Sequence, residues 1–115
     1  MSKELEDRFQ NFAWAVRDYC LKLKWDIINQ EYIKQMIRSS GSVSANYTEA
    51  SDDLGKGDEK MKLKISRREA KETIRWLDLS LTHGDSFLEQ LKMQLIDERE
   101  QIRKILSAII IKLGG

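Results

Sequence analysis

The sequence predicts an all-α fold, a left-handed, antiparallel, up-down-up-down four-helix bundle. Three observations carry this. Proline is absent, so no segment holds an obligatory helix breaker. Apolar residues recur every three or four positions through most of the chain. Glycines and capping residues interrupt that pattern over short stretches, and such short turns make consecutive helices antiparallel neighbours. The length of 115 residues fits one domain, residues 1–115, around one modest core.

The first helix is read over residues 2–25. Leu5, Phe9, Phe12, Val16, Tyr19 and Leu23 form one stripe, while Trp14, Leu21 and Trp25 lie off it. That second apolar set predicts burial against something beyond the chain's own core. A connection at residues 26–29 follows, with Asn29 as N-cap and Gln30 and Glu31 in the first turn.

The second helix is read over residues 30–54. It includes "SSGSVSANYTEASDD", which has a loop's composition. The apolar phase set by Ile33, Met36 and Ile37 nevertheless continues through Ser40, Ser44, Tyr47, Ser51 and Leu54. The small residues Ser40, Gly41, Ser44 and Ala45 predict close approach of a neighbouring helix. The cost is about 1 kcal/mol for a mid-helix Gly relative to Ala. "LGKGD" ends the helix, with Gly55 past its C-terminus and Asp58 as the next N-cap.

The third helix is read over residues 58–82. One stripe holds Leu63, Ser66, Ala70, Thr73, Leu77 and Leu81, and its neighbour holds Met61, Ile65, Glu69, Glu72, Trp76 and Leu79. Gly84 stops it, and Ser86 with Glu89 reads as a capping box. The fourth helix, residues 86–113, carries Leu88, Leu91, Leu95, Ile102, Ile105, Leu106, Ile109 and Leu113. Ile109, Ile110 and Ile111 face three directions, more apolar surface than one core needs. With Trp14 and Trp25 they are the subunit-interface candidates.

The composition excludes several functions. Twenty basic and nineteen acidic residues leave a net charge of +1, which argues against a chain built mainly to coat nucleic acid. The lone cysteine, Cys20, excludes an internal disulfide, reads as a buried small hydrophobe and fits a reducing cytoplasm. The charged start "MSKELEDRFQ" does not read as a signal peptide, and no apolar run approaches the roughly 20 residues needed to span a bilayer. The expected location is cytoplasmic, with no membrane partner.

Catalytic and metal chemistry find little support. Carboxylate-bridged dimetal bundles need Glu-x-x-His on two helices, and this chain has one histidine, His83, beside a turn. It is expected to cap the carbonyls ending the third helix or to be solvated. Glu49, Glu69 and Glu72 without imidazole make a weak transition-metal site. No catalytic residue, metal or cofactor is assigned, and the chain reads as no enzyme. Buried carboxylates need partners, so Arg38, Asn46, Tyr47, Glu49, Glu69 and Glu72 are expected to form a structural polar network. The strongest functional signal is electrostatic. Lys56, Lys60, Lys62, Lys64, Arg67, Arg68 and Lys71 stand against only Asp58, Glu59 and Glu69, and they are candidate phosphate-binding residues. No aromatic residue interleaves them, so base stacking is not expected.

Three stretches carry a family likeness. "IRSSGSVSANYTEASDD", then "REAKETIRWLDL", then the ending "IRKILSAIIIKL", resemble the four-helix-bundle family of 23S rRNA intervening-sequence proteins. Arg38, Ser39, Gly41, Ser44, Ala45, Asn46, Tyr47, Glu49 and Ala50 match in the second helix. Glu69, Ala70, Glu72, Thr73, Trp76 and Leu77 match in the third. The resemblance implies a ring-shaped homopentamer whose molecular role is unassigned. The periodicity itself supports only excess apolar surface on the first and fourth helices. A related group, the accessory variability determinant proteins of diversity-generating retroelements, binds a reverse transcriptase and nucleic acid through a basic surface. This chain differs from that group in its near-neutral charge. The expected function is a noncatalytic homo-oligomeric structural or interaction module. The alternative is a nucleic-acid-binding accessory, for RNA or DNA or beside a reverse transcriptase, using the basic start of the third helix.

Overall fold

Ser2 starts the first helix. Its hydroxyl accepts the Leu5 N–H at 3.1 Å, and Glu4 and Glu6 follow in the first turn, where negative charge suits the helix dipole. In the computed structural model, which describes residues 2–50 and 56–114 and only the backbone at Lys56, four helices follow in order: α1 Lys3–Lys22, α2 Ile27–Ala50, α3 Lys56–Leu79 and α4 Ser86–Lys112. No strand occurs among the described residues. Each helix packs on its sequence neighbour, and α1 closes the ring against α4. Alternation of direction is visible in the contacts. The α1–α2 turn meets the α3–α4 turn through Asn29 and Leu81, while Lys60 near the start of α3 reaches the Gly114 carbonyl beyond α4. The result is a four-helix rod of 46 × 22 × 21 Å.

The core follows the apolar phase. Phe9, Phe12, Val16 and Tyr19 come from α1, and Ile33, Met36, Val43, Tyr47 and Ala50 from α2. Leu63, Ala70 and Leu77 come from α3, and Leu88, Leu95, Ile102, Leu106 and Ile110 from α4. The Phe9 and Tyr47 rings meet edge to face at 4.7 Å. Between α2 and α3 the contact is made of small hydroxyls. Ser39 Oγ and Thr73 Oγ1 share a 2.8 Å bond, and Ser66 Oγ donates to the Val43 carbonyl at 2.7 Å, all buried.

Several expectations are corrected here. Gly41 and Ala45 do not mark the close approach. Both are exposed, and a Cβ added at Gly41 would meet nothing within 4 Å. Ser40 is buried and Ser44 half-buried, so Ser39, Ser40, Ser66, Ala70 and Thr73 form the tight seam. Ile37 lies outside the core, and Val43, one position before the expected Ser44, lies inside it. Ile110 belongs to the core and Ile109 packs against it, so of the three isoleucines only Ile111 projects outward. On α4, Lys92 and Arg99 occupy buried positions of the stripe; the Lys92 ammonium caps α3 by donating to the Ser80 carbonyl at 2.9 Å.

The caps also shift. Asp26, not Asn29, caps α2: its Oδ1 accepts the Asn29 N–H at 2.7 Å, and the helix starts at Ile27. Asp85, not Ser86, caps α4, accepting the Leu88 N–H at 3.0 Å, and Glu89 instead accepts from the Thr82 hydroxyl. Asp58 lies inside α3 rather than capping it; Gly55 and residues 51–54 fall outside the described residues. His83 does not cap α3. It takes a left-handed φ of 55° and its Nε2 lies 2.7 Å from Asp26 Oδ2, joining the two turns.

The turn pair has a pH consequence. The Asn29 N–H first, then His83, holds the Asp26 carboxyl below its ordinary value. A depressed carboxylate contributes stability above its unfolded pKa of about 3.9, and that contribution is lost as pH falls through the lower folded value. Asp26→Asn should therefore lower the thermal midpoint near neutral pH and show a smaller further loss than the parent in acid. Melts across the acid range check this, and parallel curves would contradict it.

Candidate functional site

The basic segment of α3 divides when it folds. Lys62 turns toward α2 and pairs with Glu49 at 2.8 Å, which raises the lysine pKa. Lys60 reaches the Gly114 carbonyl at 3.4 Å. Lys64, Arg67, Arg68 and Lys71 face outward and toward α4. There, with Arg103 and Ser107, they line a groove of about 320 Å³. Arg67 Nη1 donates to Ser107 Oγ at 3.2 Å across it. Arg103 is gripped by Glu100, with Nη2 at 2.6 Å and Nε at 3.0 Å, and this pairing depresses the Glu100 pKa and raises that of Arg103.

Arg75 extends the same face. The pairs Lys60/Lys64, Lys64/Arg68, Arg67/Lys71 and Lys71/Arg75 are each four residues apart, so cation follows cation from turn to turn. Each such pair costs about 0.2–0.5 kcal/mol in an isolated helix. Lys64, Lys71 and Arg75 have no ion-pair or hydrogen-bond partner among the described residues. Arg68 comes no nearer than 4.0 Å to Glu69, and half-buried Glu72 pairs with none of them. Helical spacing from Lys71 could have indicated Arg75. Arg103 and Ser107 could not be found that way, because they lie on another helix and join the site only through packing.

The residues expected to form one polar network are spread over separate contacts. Arg38 Nη1 meets Glu69 Oε2 at 3.2 Å, linking α2 to α3. Asn46 donates to the carbonyl and hydroxyl of Ser42 within its own helix. Tyr47 packs on Phe9, Glu49 pairs with Lys62, and Glu72 joins none of these. Trp76 is half-buried, with its ring stacked on Tyr32. Glu69→Gln should cost about 1 kcal/mol through the Arg38 bond, and Glu72→Gln less than about 0.5 kcal/mol. Thermal denaturation checks both, and no change at Glu69 would remove the structural role of the pair.

A second feature is apolar. Leu21, Trp25 and Ile37 stand 78%, 62% and 49% exposed, and with Arg17, Cys20, Leu23 and Ile33 they line one groove between α1 and α2. Ile27, Ile28, Trp14 and Ile111 are also exposed. Burial pushes the Cys20 thiol up to about 12, so its thiolate is scarce at neutral pH. No group of three or more His, Cys, Asp or Glu placed to hold a metal ion occurs among the described residues. None of the described helices is long and apolar enough to cross a membrane.

A profile of 23S rRNA-intervening sequence proteins matches residues 10–108, a span that takes in most of α1 and α4 and everything between them. The chain belongs to that family. This intervening-sequence protein is also similar to a solved structure. The crystal structure of a protein of unknown function, from the S23 ribosomal protein family of Bacteroides thetaiotaomicron VPI-5482, gives a TM-score of 0.76 at 27% sequence identity. The match covers 91% of this chain and 96% of that one. No curated protein matches the chain.

Proposed function

We propose that this intervening-sequence protein is a noncatalytic, cytoplasmic interaction module that assembles with copies of itself as a ring-shaped homopentamer of left-handed bundles. The exposed apolar groove of Leu21, Trp25 and Ile37 carries the reading. Large side chains clustered outside a finished core suit a protein interface. The noncatalytic part is supported by how the perturbed groups are used. The Tyr19 hydroxyl bonds Ser80, Glu100 pairs with Arg103, and Asp26 caps a helix. Light scattering tests the assembly. A mass about five times the 13.5 kDa chain is expected, and a clean monomer would overturn it.

A second reading is favoured by the cation row on α3. In it the protein is a nucleic-acid-binding accessory, acting on rRNA or beside a reverse transcriptase. Filter binding to RNA at low and high salt tests it: retention lost with added salt supports it, and no retention at low salt refutes it.

A further inference from the structure

We propose that the α3–α4 groove binds the phosphodiester backbone of a nucleic acid. This rests on the second reading and gives it a site. Lys64, Arg67, Arg68 and Lys71 form one wall, and Arg103 with Ser107 forms the other. Lys64 and Arg68 also border a second open depression with Lys60, Met61 and Ile65, so the basic wall continues toward the start of α3, with two apolar side chains at that end. From Lys64 to Lys71 the helix advances roughly 10 Å, at about 1.5 Å per residue. A duplex strand presents a phosphate about every 3.4 Å along its axis, so the row faces roughly three of them.

The α4 wall is already ordered for this. Glu100 fixes Arg103 through Nε and Nη2, leaving Nη1 without a partner among the described residues. Ser107 Oγ accepts from Arg67 and keeps its own O–H to donate to a phosphate oxygen. The groove is open, and cations continue past both ends at Lys60 and Arg75, which suits a polyanion better than a single enclosed phosphate. Its lining holds no aromatic and no apolar side chain. Within the groove bases therefore have nothing to stack on, and a lipid surface would gain only headgroup contacts there, Met61 and Ile65 lying beside it. Recognition is of the backbone and independent of sequence.

Fluorescence anisotropy tests this with a short labelled RNA, the matching DNA and phosphatidylglycerol vesicles. With three to five phosphates neutralised by the groove cations, the log–log salt slope for a single strand should be about −2 to −3.5, an affinity loss of about 15- to 130-fold between about 50 and 200 mM salt. Combined Arg67→Gln, Arg68→Gln and Arg103→Gln should flatten the slope to about −1.5 and weaken low-salt binding by about ten-fold or more. Lys64→Gln with Lys71→Gln alters only exposed side chains and should weaken binding in the same direction without touching the fold. Lys22→Gln, Lys24→Gln and Lys34→Gln remove the same net charge away from the groove and should cost less than about two-fold. Tighter binding of RNA assigns RNA as the source of the backbone, and tighter binding of DNA assigns DNA; either supports the groove. If the nucleic acids bind and the control set weakens them as much as the groove sets do, the groove is not the site, although the second reading survives. No binding at low salt ends both. Vesicles bound in preference to RNA and DNA overturn the choice of ligand.

Discussion

Replacing Asn29 with Ala is expected to destabilise the bundle by about 2–4 kcal/mol. The side chain is wholly buried and joins two chain turns that are distant in sequence. Its Nδ2 donates to the Lys24 and Leu81 carbonyls, both at 3.0 Å, and its Oδ1 accepts the Leu81 N–H at 2.8 Å. Truncation leaves the Leu81 N–H and C=O unpaired at the end of the rod where both turns meet, while the Lys24 carbonyl keeps the Asp26 N–H at 3.0 Å. A buried unsatisfied group costs about 1–3 kcal/mol, reduced here because water can reach exposed Leu81. The better helix propensity of Ala returns roughly half a kcal/mol. At about 4 °C per kcal/mol for a domain near this size, the midpoint should fall by roughly 10 °C or more. Asn29→Asp keeps the acceptor but sets an oxygen against two carbonyls, so it should be at least as harmful. A loss under about 1 kcal/mol for both variants would mean that water replaces the side chain at no net cost.

Asn29 also shows where sequence reasoning stopped. Asp26 and Asn29 are both good N-cap residues, three positions apart, and periodicity does not choose between them. The choice is made by the Leu81 backbone, 52 residues away. The bundle itself was legible, because Phe9, Phe12, Val16 and Tyr19 repeat at helical spacing and the structure buries them. The seam between α2 and α3 was half legible. Small residues signal a close approach, but Gly41 lies one position away from the face that Ser40 and Val43 turn inward. A shift of one position is about 100° around a helix, enough to move a residue from seam to solvent. The basic site was legible on α3 alone. Lys62 falls among basic neighbours in the sequence, but it pairs with Glu49 on the other side of the helix. Arg103 and Ser107 enter the groove through the packing of α4, which composition does not encode.

Trp25→Asp combined with Leu21→Asp is expected to reduce the proposed assembly to the 13.5 kDa chain while leaving the helices intact. Neither residue belongs to the core; Trp25 lies between α1 and α2, and Leu21 projects from the last turn of α1. Surface changes of this kind usually alter monomer stability by less than about 0.5 kcal/mol, so circular dichroism and the monomer melt should change little. At an interface the same residues matter far more. A buried Trp anchor is worth about 2–4 kcal/mol, so its loss weakens each contact by roughly 30-fold or more. Placing a carboxylate there adds the cost of burying an unpaired charge. In a closed ring every contact carries the defect, so the losses compound and dissociation should be complete at micromolar chain concentration. Ile111→Asp, on the last turns of α4, separates this patch from another exposed candidate. If Ile111→Asp dissociates the assembly and the double variant leaves its mass unchanged, the interface lies at the end of α4 and the α1–α2 groove has another role. If the double variant alone dissociates it, the tryptophan and leucine that lie off the core stripe are what join one copy to the next.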